Sequence, residues 1–335
     1  MQLEDQAAAP ALGTPEAGEV LRKRPSALSN VLKFARRKPL GAFGFFLVFV
    51  LFAMTLGTPK AEFGLPSLPN RPLGFELDSP WLARYDDEDT FYDADGGTSQ
   101  FESPSSDHWF GTDKNGRDIY ARIVFGARRS MFVGFWALSI ATILGTSIGV
   151  FSGYFGRWID TVVQRFMDAL QSFPPLIALI LIMTINPLGS GDKASLMMAA
   201  FALGFVGVTS VQRITRGVVL ATKEQQFVEA GRVIGATDLR IMFRYIIPNI
   251  MASIIVVFST GIGVVILAEA ALSFVVPEAV PLGTSWGLML SDSYTQISSN
   301  PYPVAFSAGA IAVAVLAFNL AGDALRDVLD PRLRI

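Results

Sequence analysis

Across residues 249–274 the chain carries a single charge, Glu269, and five other stretches are nearly as apolar. Inside a bilayer such a run has no water to satisfy its backbone, so it has to be helical there. About 20 apolar residues cross the hydrocarbon core. The spacing predicts spans at 40–56, 131–151, 169–191, 194–211, 249–274 and 304–321. The first reaches about 25 Å at 1.5 Å per residue, the short end of that range. Composition agrees, because 51% hydrophobic against 17% charged is too apolar for an ordinary soluble enzyme of 335 residues. The expected fold is an all-α membrane protein with six transmembrane helices.

Charge sets the expected topology. Lys33, Arg36, Arg37 and Lys38 precede the first span, and Arg213, Arg216, Lys223, Arg232, Arg240 and Arg244 follow the fourth. The loop 275–303 has no Lys or Arg. The positive-inside rule then places both termini in the cytoplasm. The layout reads as a cytoplasmic tail 1–39, the first helix 40–56, and an extracytoplasmic loop and amphipathic helix 57–130. A five-helix core 131–322 with a cytoplasmic loop 212–248 follows, then a cytoplasmic tail 323–335. The basic group from Arg117 to Arg129 is the exception. Its charges make a poor span, so 118–129 is expected as an amphipathic helix on the outer surface, with Ile119, Arg122, Ile123 and Gly126 along one side. The acidic run Asp86-Asp87-Glu88-Asp89, with Asp93 and Asp95, lacks the EF-hand spacing and reads as a solvated loop. Gly145, Gly149 and Gly153 form a small-residue stripe that allows another helix close approach.

Several chemistries are excluded. The chain has no cysteine, so thiol nucleophiles and Cys-ligated metals are absent. Its one histidine, His108, reads as a surface loop residue and has no hydrolase or zinc spacing around it. No Walker A pattern occurs, so ATP chemistry would belong to another chain. A net charge of −2 gives no general case for nucleic acid.

The long polar passage 223–249 interrupts the apolar second half. Phe227, Ala230, Gly231 and Ile234 recur at i, i+3, i+4 and i+7. Gly235 breaks the pattern and can take positive φ, Thr237 and Asp238 are N-cap types, and a second run, 239–247, is expected to end against Pro248. The prediction is two short helices at an angle whose apolar face, lying between two spans, docks something else. Glu269 costs about 2.5–3.5 kcal/mol on insertion scales, so it faces either an aqueous path or a hydrogen-bonding neighbour. Asn319 and Asp323 lie near the end of the last span.

These residues resemble a known family. Glu229-Ala230-Gly231, then Gly235, then Ile247-Pro248 is similar to the EAA loop of ABC importer permeases, with Gly231 where the family usually has Ala. Phe110-Gly111-Thr112-Asp113 through Gly116-Arg117-Asp118 and Gly126-Ala127-Arg128 resembles a block of the dipeptide/oligopeptide-type permeases. So do 266–274, ILAEAALSF, and Asn319 through Asp327 with Asp330-Pro331-Arg332. The resemblance points to the second permease subunit of a pair, with the type I ABC importer permease fold, in a bacterial inner membrane. It implies a homologous second permease, two cytoplasmic ATPase subunits that hold ATP and Mg, and an extracytoplasmic solute-binding protein. No cofactor or catalysis belongs to this chain itself. The resemblance makes Phe227, Ala230, Gly231 and Ile234 the ATPase contact, Glu229 its polar rim and Gly235 the bend. Glu269 and Asn319 stay open between pathway and packing. The implied substrate is a short peptide, with nickel chelates, glutathione or oligosaccharides as alternatives. An intramembrane enzyme would need paired catalytic groups inside the spans, and a channel or secondary transporter would show several intramembrane charges.

Overall fold

The computed structural model describes residues 35–36, 38–56, 83–92, 98–185, 192–277 and 284–329. The tail 1–34, Asp93 and Asp95, Asn186-Pro187 and the Asp330-Pro331-Arg332 ending lie outside the described residues. Among the described residues the elements are α1 (Pro39–Leu56), α2 (Ile119–Phe155), α3 (Arg157–Gln171), α4 (Pro175–Ile185), α5 (Asp192–Thr222), α6 (Gln226–Val233), α7 (Asp238–Val275), α8 (Trp286–Tyr294) and α9 (Tyr302–Leu329). All of these named elements are helices, and α2, α5, α7 and α9 are each long and apolar enough to cross a membrane. α1 is a shorter apolar helix, and α3 with α4 qualifies only as a bent pair. Among the described residues, four helices therefore reach span length by themselves, and a fifth span is counted if the bent pair is taken as one.

Three expectations change. The third span is not one straight helix, because α3 and α4 meet at 84°. Pro174 and Pro175 lie at the break, where each lacks an N–H and biases its predecessor away from helix. Pro248 does not end the second run. The helix passes through it, because Met242–Ile246 is a π turn in which the Ile247 N–H donates to the Met242 carbonyl. Such a turn absorbs the register change that a proline forces. The segment 118–129 is not a separate surface helix either. Asp118 caps α2 by accepting from the Ala121 N–H at 2.7 Å, and the helix continues unbroken into the span. Residues Ile119 and Ala121 through Met131 are buried on every side.

Packing runs through small residues. α5 lies along the glycine stripe of α2, where a Cβ on Gly149 would sit 2.8 Å from the Gln212 carbonyl oxygen and one on Gly145 2.8 Å from Val211 Cβ. A second apolar core joins α1, α2, α7, α8 and α9 around Ile266, Trp286 and Phe318. Lys38, just before α1, pairs with Asp327 near the end of α9 at 2.6 Å, which ties the start of α1 to the end of α9. α9 runs without a break to Leu329.

Candidate functional site

The passage 223–249 folds as a bent pair. α6 stops at Val233, Gly235 takes φ +77°, and Thr237 caps α7 by accepting from the Arg240 N–H. The elbow is seated on the ends of two long helices. Val228 is fully buried in a cluster with Val150, Tyr154, Val219, Ile241 and Ile246. The Tyr154 hydroxyl donates to Asp238 at 2.6 Å, and Lys223 donates to the Gly153 carbonyl at 3.1 Å. Arg232 sits over the Tyr154 ring.

Its apolar residues divide between two faces. Val228 and Gly231 turn inward, Gly231 lying under the Tyr245 ring, 3.6 Å from where its Cβ would be. Gly231 is therefore not on the exposed face expected for it. Phe227, Glu229, Ala230 and Ile234 are exposed, and so are Val233 (83%), Leu239 (65%) and Phe243 (67%). These last three extend the apolar surface across the bend. Leu239 and Phe243 stand four apart in the run already recognised, so their shared face was available from spacing. Around them Arg232, Arg240 and Arg244 are exposed and basic.

Glu269 is enclosed. It is 1% exposed and accepts from Ser130 Oγ at 3.0 Å and Ser273 Oγ at 2.8 Å. This arrangement ties α7 to α2. Replacing Glu269 with leucine leaves two buried hydroxyls to find other acceptors, at a cost of about 1–3 kcal/mol. Glu269→Gln retains a carbonyl acceptor. Thermal unfolding of the purified protein should therefore place Glu269→Gln close to the wild type and Glu269→Leu clearly below it. Asn319 is exposed, on an apolar groove of about 660 Å³ between α7 and α9 that Leu267, Phe274, Ile311 and Leu316 also line.

The far end of the bundle, opposite the elbow, holds a polar knot. Asp113 accepts from the Asn115 and Arg117 backbone N–H groups at 2.8 and 2.9 Å, from Arg117 Nε at 3.0 Å, and from buried Arg122. Asp292 on α8 faces the same cations, 2.9 Å from Lys114 and 3.6 Å from Arg122. His108 is not a surface residue: it is buried, with Nδ1 2.9 Å from Asp118 and its ring against Tyr85 and Phe91. Gly111 has φ +79°, and a Cβ there would lie 2.2 Å from the Glu102 carbonyl oxygen. Gly126 makes room for Trp286, whose indole donates to the Ile123 carbonyl at 3.0 Å. The acidic run is not wholly solvated. Asp87 is buried, and desolvation pushes its carboxyl above the usual range, helped by Asp86 and opposed by Thr284 and Arg129.

A family model described as a binding-protein-dependent transport system inner membrane component matches residues 145–335. The dipeptide transport system permease protein DppC of Alkalihalophilus pseudofirmus is 43% identical over 237 residues, covering 71% of this chain and 76% of the relative. Glutathione transport system permease proteins GsiD of Pectobacterium atrosepticum and Escherichia coli are each 38% identical, over 233 and 254 residues. They cover 70% and 76% of this chain and 75% and 80% of the relatives.

Proposed function

Because the chain belongs to the family of binding-protein-dependent transport system inner membrane components, we propose that it is a permease subunit of an ATP-driven importer of short peptides. With a homologous second permease it encloses a path that opens alternately to the two sides. An extracytoplasmic binding protein delivers the solute, and two cytoplasmic ATPases bind ATP and Mg. The protein is a multi-pass inner-membrane chain with both ends and the elbow in the cytoplasm, as the basic residues around the elbow favour. Glutathione is itself a short peptide, so the GsiD relatives support the same chemistry as the DppC relative.

One observation carries the coupling reading: the exposed apolar surface of the elbow runs across the Gly235 bend onto Leu239 and Phe243, at the start of the continuous helix α7. Phe227, Ala230, Val233, Ile234, Leu239 and Phe243 dock on an ATPase, Glu229 and the arginines form the polar rim, and Gly231 sets the angle from beneath. ATPase closure then reaches the span as a push on a rigid rod. Asn319, exposed on the groove, is the pathway candidate. Enclosed Glu269 packs helices.

Gly235→Val puts a β-branched residue at positive φ, a strain of about 1–3 kcal/mol that the elbow can relieve only by changing its angle. Glu229→Lys reverses a charge on the rim. In both variants ATPase co-purification and ATP-dependent uptake should fall while membrane insertion persists. Normal uptake in both would end the coupling reading. Mass spectrometry of the ligand carried by the co-purified binding protein tests the peptide assignment.

A further inference from the structure

α3 has no place in the transport reading, yet its sides are cleanly divided. Trp158, Val162 and Phe166 follow at four-residue spacing and are 72%, 58% and 59% exposed. Met167, farther round the same apolar arc, packs inward. On the polar arc both carboxylates are already taken, Asp160 by Arg216 and Asp168 by Arg213, each from α5. Arg157 and Arg165 are exposed and have no ion-pair partner among the described residues. The exposed surface of α3 is thus an apolar stripe flanked by net positive charge.

Its direction supplies the second observation. α3 meets α4 at 84°, and α4 exposes Ile177, Leu181 and Ile185 along its length. With α4 along the bilayer normal, the 84° break lays α3 almost in the membrane plane, between the end of α2 and the start of α4. We propose that α3 is an interfacial helix that sinks Trp158, Val162 and Phe166 among the acyl chains and holds anionic phospholipid headgroups with Arg157 and Arg165. A polar face bearing cations above an aromatic and aliphatic one is the pattern of helices that lie in the interface. The ion pairs to α5, whose last turn leads into the elbow, give bound lipid a mechanical route to the coupling surface. The assignment requires only that the chain spans a membrane, and it stands or falls apart from the peptide-transport reading.

The chain lacks cysteine, so one introduced thiol carries a label without background. Val162→Cys and Thr161→Cys are both exposed positions, on the apolar and polar arcs. Each would bear a nitroxide in the full-length chain, purified with the subunits it assembles with and reconstituted in nanodiscs. The label at 162 is expected to be open to oxygen and shielded from water-soluble chromium oxalate, and the label at 161 the reverse. Shielding of 162 from both reagents would mean that another subunit covers the stripe, and openness to chromium oxalate would mean that it faces water. Either result overturns the proposal. A fluorophore at 162 should then be quenched more by brominated phosphatidylglycerol than by brominated phosphatidylcholine. That preference should fall about fivefold for each arginine removed in Arg157→Gln and Arg165→Gln. Equal quenching by the two lipids in the otherwise unaltered chain overturns the anionic assignment.

Discussion

Asp113→Ala is expected to destabilise the protein by about 3 kcal/mol, toward the lower end of what breaking a buried ion pair costs. Arg122 is 2% exposed, and Asp113 is its nearest carboxylate. Truncation leaves the guanidinium with Asp292 alone, at 3.6 Å. It also strips the Asn115 and Arg117 N–H groups of their acceptor, so the turn that presents Asp118 to α2 loses its closure. Asp113→Asn separates the two effects, because the amide oxygen can still accept from the backbone while the charge is gone. Its cost should be intermediate. Combining Asp113→Leu with Arg122→Leu should recover much of the loss, since removing a buried pair together is far milder than orphaning one partner. Thermal unfolding of the four proteins in one detergent checks this. Equal stability of Asp113→Ala and the parent would mean that the knot contributes nothing.

This knot also shows what could be read from the sequence and what could not. Basic residues from Arg117 to Arg129 run against the charge rule, and their spacing by itself points to a surface helix. Spacing gives no hint that Asp292, on a helix much later in the chain, faces Arg122. Arg117 and Arg122 lie at the start of a membrane helix because they are paired in place. His108 is buried for the same reason: its partner Asp118 comes within reach only once the loop closes through Gly111 and Gly116 at positive φ.

The elbow was legible because its signals are local. Gly235, the caps and the four-residue periods all act within one or two turns. Which face looks outward was not legible for Gly231. In an eight-residue helix, Val228 with Gly231 and Phe227 with Ala230 are both separated by three, so each pair can form a stripe. Burial of one is decided by Tyr245, which the π turn before Pro248 brings over Gly231. Glu269 was ambiguous for want of its neighbours: Ser130 comes from another helix, and only Ser273, four residues on, was visible as a partner.

Gly149→Leu should be more damaging to the bundle than any loss of an apolar side chain from it. At this position the stripe of α2 meets backbone, with the Gln212 carbonyl oxygen 2.8 Å, Thr215 Cβ 2.9 Å and the Arg216 N 3.1 Å from an added Cβ. Backbone cannot rotate away as a side chain can, so even alanine has to push the helices apart. Leucine adds three more carbons to the same gap. Overpacking a core costs about 1–3 kcal/mol when side chains can adjust, and here the adjustment is a rigid shift of α5 from α2. That shift moves Val219 and the last turn of α5 off the cluster that seats Val228, so the elbow loses its support along with the span. A graded series gives the check. Gly217, with open space where its Cβ would be, should accept alanine with little change in yield or thermal stability. Gly149→Ala should lower both, and Gly149→Leu should leave little folded protein to recover. If Gly149→Ala and Gly217→Ala were equally stable, close approach of α2 and α5 would not be what the glycine stripe provides.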